Sequence, residues 1–382
     1  MKINESRLAD VFQTMCEIDS PSRHEGLMAE FLITLISKEF PDATLEIDSS
    51  QAATGSETGN LVFHFPGELP GPAIFFNCHL DTVQPGVGVK VVRKGTKFFS
   101  AGETILGGDD KAGIAILIEA MRHIREAGMP RRPVDYLFTT CEEIGLLGAK
   151  AFDTSLLHAR IGYALDSTGV DLVITEAPAA NHFSCTITGA AAHAGLHPER
   201  GINAIQLASQ CIAGLNLGRL DDESTANIGV ISGGKATNII PETVRFEGEV
   251  RSHSAAKLKQ YTEAIISHIE DAVKSWSPTA DAQLAPNTRP GLAVNVSEEY
   301  PAMHLGPETS AVQLARKSAS RLGRDIRFER AGGGSDANIF NGKGIETAII
   351  GIGMDHVHST EESIDINDMI RTTELLISMI TY

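Results

Sequence analysis

The stretch GGDDKAGIAILIEAMRHIREA, residues 107–127, sets two adjacent aspartates between glycines, directly before an apolar helical run over 112–127. Short strand-like runs lie on both sides of it along the chain, at 73–78, 134–140 and 161–166. Strands that are apolar throughout and alternate with helices indicate a sheet covered on both faces. We therefore predict α/β layering for this part of the chain.

Composition places the chain among globular proteins. Of its 382 residues, 42% are hydrophobic and 21% are charged, which is typical of globular proteins. The length is sufficient for two domains. It has no uncharged apolar run of membrane-spanning length, and its first residues lack the apolar core of a signal peptide, so we expect a cytoplasmic protein. The formal net charge of -17 is spread along the chain, which disfavours binding to nucleic acid or to an anionic membrane.

The cysteines do not indicate a structural role for sulfur. They are five in number and show no Cys-x-x-Cys spacing, so neither a disulfide framework nor a thiolate zinc site is predicted. We expect reduced and mostly buried thiols.

The pattern changes after about residue 178. Strands at 182–189 and 243–250 alternate between apolar and polar residues, as expected when one face of a sheet is exposed. Amphipathic helical stretches accompany them at about 201–215 and 254–276, and a last strand is expected near 282–296. The order of elements predicts a ferredoxin-like α+β domain.

The α/β pattern resumes from about residue 308. Helices are predicted at 308–322 and near 366–380, with strands at 326–329 and 346–351. The smaller domain is thus expected to be inserted into the larger one. The predicted division is a discontinuous catalytic domain, 1–177 and 297–382, and an inserted domain, 178–296.

The motif HLD at 79–81 directly follows an apolar strand. In an extended segment residues i and i+2 point the same way, so Asp81 could accept a hydrogen bond from one nitrogen of His79 while the other nitrogen faces a metal. A surface pair or an ordinary polar turn is the alternative.

The GGDDKAG stretch at 107–113 admits three interpretations. A phosphate-binding loop needs a hydroxyl residue after the lysine, but Ala112 follows Lys111, which disfavours it. An aspartate could cap the helix that starts near Lys111. One carboxylate could also bind a metal while the other caps the helix.

Further acidic and imidazole side chains follow other predicted strands. In CEEIGLLGAK at 141–150, one glutamate could bind a metal while its neighbour acts as general base, although an acidic helix start would explain both. Asp166 ends the apolar run at 161–165, and His358 follows the strand near 346–351. Sites in open α/β sheets gather at the carboxyl ends of strands, so we expect these side chains to meet there.

Together these residues form a set suited to two metals. A bridging carboxylate, with one histidine and one further carboxylate for each cation, is the arrangement of a two-metal hydrolytic site. Nitrogen and oxygen ligands without sulfur suit zinc, with manganese or cobalt as alternatives. The predicted ligands are His79, Asp109, Glu143, Asp166 and His358, and Glu142 remains as a base.

The sequence resembles the cocatalytic two-zinc metallopeptidase family that includes peptidase T, carboxypeptidase G and the dinuclear dipeptidases, and within it the peptidase T-like branch. The motifs that carry the resemblance run through most of the chain in family order: His-x-Asp at 79–81, GGDDKAG at 107–113, CEEIG at 141–145, LDS at 165–167 and VHSTEE at 357–362.

The resemblance implies a role for each matched residue. Asp109 would bridge the metals, with His79 and Asp166 on one and Glu143 and His358 on the other. Glu142 would be the general base, and Asp81 would orient His79.

The resemblance also implies that the inserted domain is a lid that carries a homodimer contact. His193 would stabilise the oxyanion from the partner's lid, while Asn238 and Arg251 would contact the substrate carbonyl and carboxylate. A turn role for His193 and an Arg251–Glu249 pair are the alternatives. Asp336, in a glycine-rich loop at 331–340, would bind a substrate amino group or cap the following helix.

The predicted activity is hydrolysis of small peptides by a peptidase T-like aminopeptidase, with a metal-bridged hydroxide and Glu142 as general base. An N-acyl amino acid amidohydrolase or a carboxypeptidase of the same family is the first alternative, and aspartate rather than glutamate at 166 favours the aminopeptidase over it. A non-catalytic member of the fold is the second alternative.

Overall fold

A computed structural model of the protein describes residues 2–382. The chain divides into two compact units, a larger one made of the residues up to Ala177 with Met303–Tyr382, and a smaller one, Pro178–Ala302. The second junction lies later than the predicted boundary after residue 296, because a strand of the smaller unit, Gly291–Tyr300, continues past that point.

The first segment of the larger unit alternates helices and strands. In chain order these are α1 (Glu5–Cys16), α2 (Gly26–Glu39), β1 (Thr44–Ile47), α3 (Gln51–Thr54), β2 (Leu61–Phe65), β3 (Ile74–His79), β4 (Val91–Lys94), β5 (Lys97–Ser100), α4 (Gly108–Glu126), β6 (Val134–Thr139), α5 (Leu147–Ala151), β7 (Ile161–Thr168) and β8 (Leu172–Ala177).

The smaller unit and the last segment follow. The smaller unit contains β9 (Ala179–Thr188), α6 (Ala204–Ala213), β10 (Gly218–Asp221), β11 (Ser224–Gly233), β12 (Thr243–Ser252), α7 (Ala255–Lys274) and β13 (Gly291–Tyr300). The last segment contains β14 (Met303–His304), α8 (Ser310–Arg321), β15 (Arg327–Arg330), α9 (Asp336–Gly342), β16 (Glu346–Asp355), β17 (Ser363–Asp365) and α10 (Ile366–Ile380).

The strands of the larger unit form a mixed sheet in the order β1-β2-β6-β3-β7-β16-β17-β5-β4, with β8 beside β16 and joined to β14 and β15. Its central strands β6, β3, β7 and β16 are parallel. Every residue of β3 and β6 is buried, as expected for strands covered on both faces. The carboxyl ends of these parallel strands therefore meet at one edge.

Helix α4 lies in the core of the larger unit. It packs against α1, α10 and strands β3 and β7, and its side chains are buried from Gly108 through Arg122. A helix in this position needs apolar residues on most of its surface, which explains the long apolar run of the opening stretch, and its buried Glu119 and Arg122 are paired with Arg7 and Glu39.

The smaller unit has the ferredoxin-like arrangement that the sequence predicts. Its antiparallel sheet has the order β10-β11-β12-β9-β13, with the short β10 added at the β11 edge. Helices α6 and α7 both pack against β9 and β12. Alternate residues of β9, Phe183, Cys185 and Ile187, are buried in its core, which is the pattern of a sheet covered on one face.

Two further expectations can be compared with the structure. Within residues 2–382, all five cysteines are free and buried, as predicted. Over the same range, none of the helices combines the length and the apolar character that a membrane crossing requires.

Candidate metal centre

The predicted ligands lie where the central parallel strands end. His79 is the last residue of β3, Glu143 follows β6, and Asp166 lies near the end of β7. His358 follows β16, and Asp109 comes from the start of α4. The structure brings these side chains together as two groups that share Asp109, one with His79 and Asp166 and the other with Glu143 and His358, and the ligand atoms within each group lie within 4.8 Å of one another.

Asp109 lies between the two imidazoles. Its Oδ1 is 3.0 Å from Nε2 of His79, and its Oδ2 is 3.3 Å from Nε2 of His358. The same His358 nitrogen lies 3.1 Å from Oε1 of Glu143. Since each oxygen of Asp109 faces a different group, this carboxylate has the geometry of a bridging ligand.

His79 is oriented differently from the prediction. Its Nδ1 donates to the backbone carbonyl of Asp81 over 2.9 Å, whereas the Asp81 carboxylate lies 3.6 Å away. A carbonyl only accepts, so Nδ1 carries a proton, and Nε2 is the nitrogen that faces Asp109. The backbone of Asp81 therefore orients the ring that its side chain was expected to orient.

The Asp81 carboxylate positions the glutamate pair instead. It accepts hydrogen bonds from the backbone N–H groups of Glu142 (2.9 Å) and Glu143 (3.2 Å), and from the hydroxyl of Ser22 (2.6 Å). Asp81 is fully buried. It thereby fixes the backbone turn after β6 that carries the two glutamates, each of which brings a carboxylate oxygen within 4.8 Å of a His79 nitrogen.

The glycines around the aspartates explain the local sequence. Gly107 has φ of 75°, in the left-handed region that glycine adopts without strain. A Cβ at Gly113 would lie 2.3 Å from Oδ1 of Asp110 and 2.8 Å from Sγ of Cys78, which leaves no room for a side chain. The chain can therefore turn into α4 while both aspartates stay buried.

Neither aspartate caps α4. The N-cap position is Gly107, which has no side chain to make a cap hydrogen bond. Oδ2 of Asp110 instead accepts the backbone N–H of His79 over 3.3 Å. Asp110 supports the strand end that carries the imidazole, as a neighbour of the bridging residue.

The electrostatics favour cations at this place. Burial and nearby carboxylates, with Asp109 foremost among them, hold the pKa of Asp166 well above its usual range. Burial, followed by Asp166, does the same for the pKa of Glu142. Hydrogen bonds to Asp109 and Glu143 raise the pKa of His358 to about 10. Carboxylates crowded in this way need positive charge, and divalent ions would supply it.

The donor set fits the predicted metals. It consists of imidazole nitrogens and carboxylate oxygens, which suit zinc, manganese or cobalt. The nearby thiol of Cys78 has a pKa well above its usual range because it is buried, so it stays protonated and is a poor ligand.

Glu362 is a positioning residue that the sequence analysis did not identify. Its carboxylate accepts the backbone N–H groups of Leu106 (2.8 Å), Gly107 (2.9 Å) and Asp109 (3.1 Å). It is 2% exposed. The sequence does mark this residue, because Glu362 is the last residue of the VHSTEE motif that contains His358.

Asp336 is buried in the larger unit and does not cap α9. Ser335 is the N-cap residue and forms a capping box with Asn338. One Asp336 oxygen accepts the hydroxyl of Thr139 at the end of β6, while the other is buried and, in the described part of the chain, has no hydrogen-bond partner. Burial raises the pKa of Asp336 to about 6.

The candidates of the smaller unit are exposed or half-exposed. Nδ1 of His193 accepts the backbone N–H groups of Gly195 and Leu196, each over 3.2 Å. Asn238 is a neighbour of His193, because its carbonyl accepts the N–H of Ala194 over 2.9 Å.

Arg251 pairs with a carboxylate of its own strand. On β12 its Nε and Nη2 donate to Glu249 over 2.9 and 3.0 Å. The alternative interpretation of this arginine, a pair with Glu249, is therefore present in the structure.

An α/β sheet whose strand ends gather histidines and carboxylates in this way is typical of metal-dependent hydrolases. Residues 75–382 match Peptidase family M20/M25/M40, and the chain belongs to this family. The predicted family resemblance is confirmed, and the protein is a peptidase, a hydrolase of amide bonds.

Similar proteins span the whole chain. Protein YqjE of Bacillus subtilis is 35% identical over 381 residues, which cover 99% of this chain and 98% of the relative. The crystal structure of aminopeptidase PepT from Bacillus cereus matches with a TM-score of 0.84 and 35% identity, covering 99% and 98% of the two chains. A tripeptidase from Staphylococcus aureus matches with a TM-score of 0.89 and 31% identity, over the same shares.

Proposed function

We propose that this peptidase is a dinuclear zinc aminopeptidase of the peptidase T type, which removes the first residue of small peptides and of tripeptides above all. The observation that carries the proposal is the placement of Asp109, whose two oxygens face His79 and His358 from between two carboxylate groups. The likeness to an aminopeptidase PepT and to a tripeptidase supports the choice of substrate.

In this proposal each group of ligands holds one divalent ion. His79 and Asp166 would hold the first, Glu143 and His358 the second, and Asp109 would bind both. When bound, the ions supply Lewis-acid chemistry that polarises the peptide carbonyl and acidifies water.

Glu142 moves the proton. It lies beside the ligand groups with its backbone N–H fixed by Asp81, and it is buried. It would accept the proton of the attacking water and donate it to the leaving amine. Burial raises the pKa of this carboxyl, which favours its protonated form and so the transfer of the proton to the leaving amine.

Asp336 is proposed to recognise the free amino terminus. Its unpaired oxygen is buried in the larger unit, and its charge raises the pKa of Glu142, which indicates that the two carboxyls are near each other. An ammonium group of the substrate would pair with this carboxylate, which favours an aminopeptidase over a deacylase.

The smaller unit is proposed to act as a lid. His193 accepts through Nδ1, so its proton is on Nε2, where it could donate to the oxyanion of the tetrahedral intermediate. Asn238 would contact the substrate carbonyl, and Arg251 would exchange Glu249 for the substrate carboxylate.

The smaller unit is also proposed to form a homodimer contact. Strand β10 pairs with the first residues of β11, from Ser224 to Ala226. The described sheet therefore leaves the edge of β11 from Asn227 to Gly233 open. Val230 and Ile231 on this edge are more than half exposed. An open edge with exposed apolar side chains is suited to pairing with a second copy.

The proposal is tested by assaying the zinc-loaded protein for cleavage of four forms of one tripeptide. These are the free tripeptide, its N-acetylated form, its C-terminally amidated form, and the dipeptide left when it is shortened by one residue. We expect cleavage of the free and amidated forms, release of the first residue, and no reaction of the acetylated form. Cleavage of the acetylated form alone would indicate a deacylase, and failure on the amidated form alone a carboxypeptidase. Inactivity on all forms would support a non-catalytic protein.

A further inference from the structure

A second cluster of histidines and a carboxylate lies outside the site described above. His64 on β2 and Asp135 on β6 are directly paired across the two antiparallel strands. His158 comes from the segment before β7, and one ligand atom of each of the three lies within 4.8 Å of the others.

The buried carboxylate of Asp135 contacts both histidine segments of the cluster. Its Oδ2 accepts the backbone N–H groups of His158 (2.8 Å) and Ala159 (3.1 Å). Its Oδ1 is hydrogen-bonded to Nδ1 of His64 over 2.7 Å and lies 3.6 Å from Nδ1 of His158. Tetrahedral ligands of zinc lie about 3.3 Å from each other, a value between these two separations.

His64 resembles a metal-ligating histidine in its second contact. Its Nε2 is buried, makes no hydrogen bond within residues 2–382, and lies 3.4 Å from Oε1 of Glu46 on β1. A ligating imidazole commonly directs its other ring nitrogen at a carboxylate, which fixes the ring and raises its basicity. His64 is 93% buried, whereas the Glu46 side chain that its Nε2 faces is 48% exposed.

The charge and access of the cluster suit a divalent cation. Two imidazoles facing a carboxylate offer nitrogen and oxygen donors and a negative charge, with Glu46 adding another nearby. His158 is 65% exposed, so the cation could enter from solvent and keep water as a further ligand. The centroids of the two rings lie 4.2 Å apart, and one nitrogen of each ring lies within 4.8 Å of the other, so both could bind one ion.

We propose that His64, Asp135 and His158 form a peripheral site for a borderline divalent cation such as zinc, separate from the ligands at the strand ends. The site would join β2 and β6 to the segment before β7. It does not depend on the proposed aminopeptidase activity, because none of its residues belongs to the other ligand groups.

The test compares zinc binding by wild-type protein and a His158→Ala variant, after removal of all metal. His158 is exposed, so the variant should fold. His304→Ala is the matched control, since His304 is also exposed and lies 3.6 Å from a carboxylate oxygen, that of Glu176. Calorimetric titration with zinc and metal analysis after gel filtration count the bound equivalents.

We expect His158→Ala to bind one zinc fewer than wild type and His304→Ala to match wild type. We also expect Glu46→Gln to bind the same zinc roughly tenfold more weakly. Equal stoichiometry in wild type and His158→Ala would overturn the proposal. So would an equal loss in both histidine variants, or a peripheral zinc bound only above about 1 mM. Because the difference between variants is counted, the result is independent of how many ions the strand-end site holds.

Discussion

The two units of the molecule hold their candidate residues in different ways. In the larger unit, His79 is 2% exposed and is fixed by hydrogen bonds to the backbone of Asp81 and the carboxylate of Asp109. In the smaller unit, His193 is exposed, and its side chain accepts hydrogen bonds from Gly195 and Leu196 of its own loop. Burial with several partners indicates a preorganised centre, whereas exposed residues can adapt to a substrate. We therefore expect changes in the larger unit to cost more.

The largest expected effect comes from Glu142→Gln. Glutamine keeps the size of the side chain and loses the proton-accepting oxygen, so kcat should fall by about a thousandfold. The metal content should stay at the wild-type level, because Glu142 is not a proposed ligand. Steady-state kinetics on a tripeptide, with metal analysis of the same sample, measures both. A variant with a tenth or more of wild-type kcat would remove Glu142 from the mechanism.

Glu362→Gln tests whether the backbone beneath Asp109 needs its anchor. The variant loses the charge that accepts three N–H groups, so zinc affinity should fall by about 10- to 100-fold. Competition with a chromophoric chelator measures the change. Glu361→Gln is the matched control, because its side chain is exposed and adjacent in sequence. Equal affinities in the two variants would contradict a positioning role for Glu362.

The metal-free protein offers a pH test of Asp336. Burial raises its pKa to about 6 in the folded state, against about 3.8 in the unfolded chain. Protons bind the folded state more tightly, so this residue's contribution to stability is full below about pH 4 and is lost as the pH rises through 6. Asp336→Asn should remove this dependence, which amounts to roughly 2 to 3 kcal/mol between pH 4 and 8.

Denaturant unfolding of both proteins without metal, over that pH range, gives the difference in free energy. The difference should shift in favour of Asp336→Asn as the pH rises. A difference that does not change with pH would show that Asp336 is ionised in the folded state at every pH measured.

The grouping of the candidate ligands in the larger unit could be predicted from the sequence, because most of them follow apolar strands. A strand with every residue buried, such as β3 or β6, is recognisable from its letters, and the ends of parallel strands must meet at one edge. Motif order then connected Asp109 and His358, which lie far apart in the chain. The layering of both units follows from the same periodicities.

Hydrogen bonds that involve backbone groups could not be predicted from the sequence. That Nδ1 of His79 donates to the carbonyl of Asp81 while its carboxylate accepts from Glu142 depends on the path of the chain after β3 and β6. The cluster around His64 could not be predicted from the sequence either. Asp135 belongs to no motif, and only the register between β2 and β6 places it opposite His64.

The smallest expected effect lies in the smaller unit, where Arg251→Ala should raise KM for a tripeptide about tenfold and leave kcat within a factor of about three. The reason is that Arg251 would contribute binding to the substrate carboxylate and take no part in bond breaking. Arg245→Ala is a close control, because Arg245 also lies on β12 and pairs with a glutamate two residues on, Glu247. A C-terminally amidated tripeptide sharpens the comparison, since it lacks the carboxylate and should respond to neither substitution. If Arg251→Ala and Arg245→Ala behaved alike on the free tripeptide, the pair with Glu249 would be the whole role of Arg251.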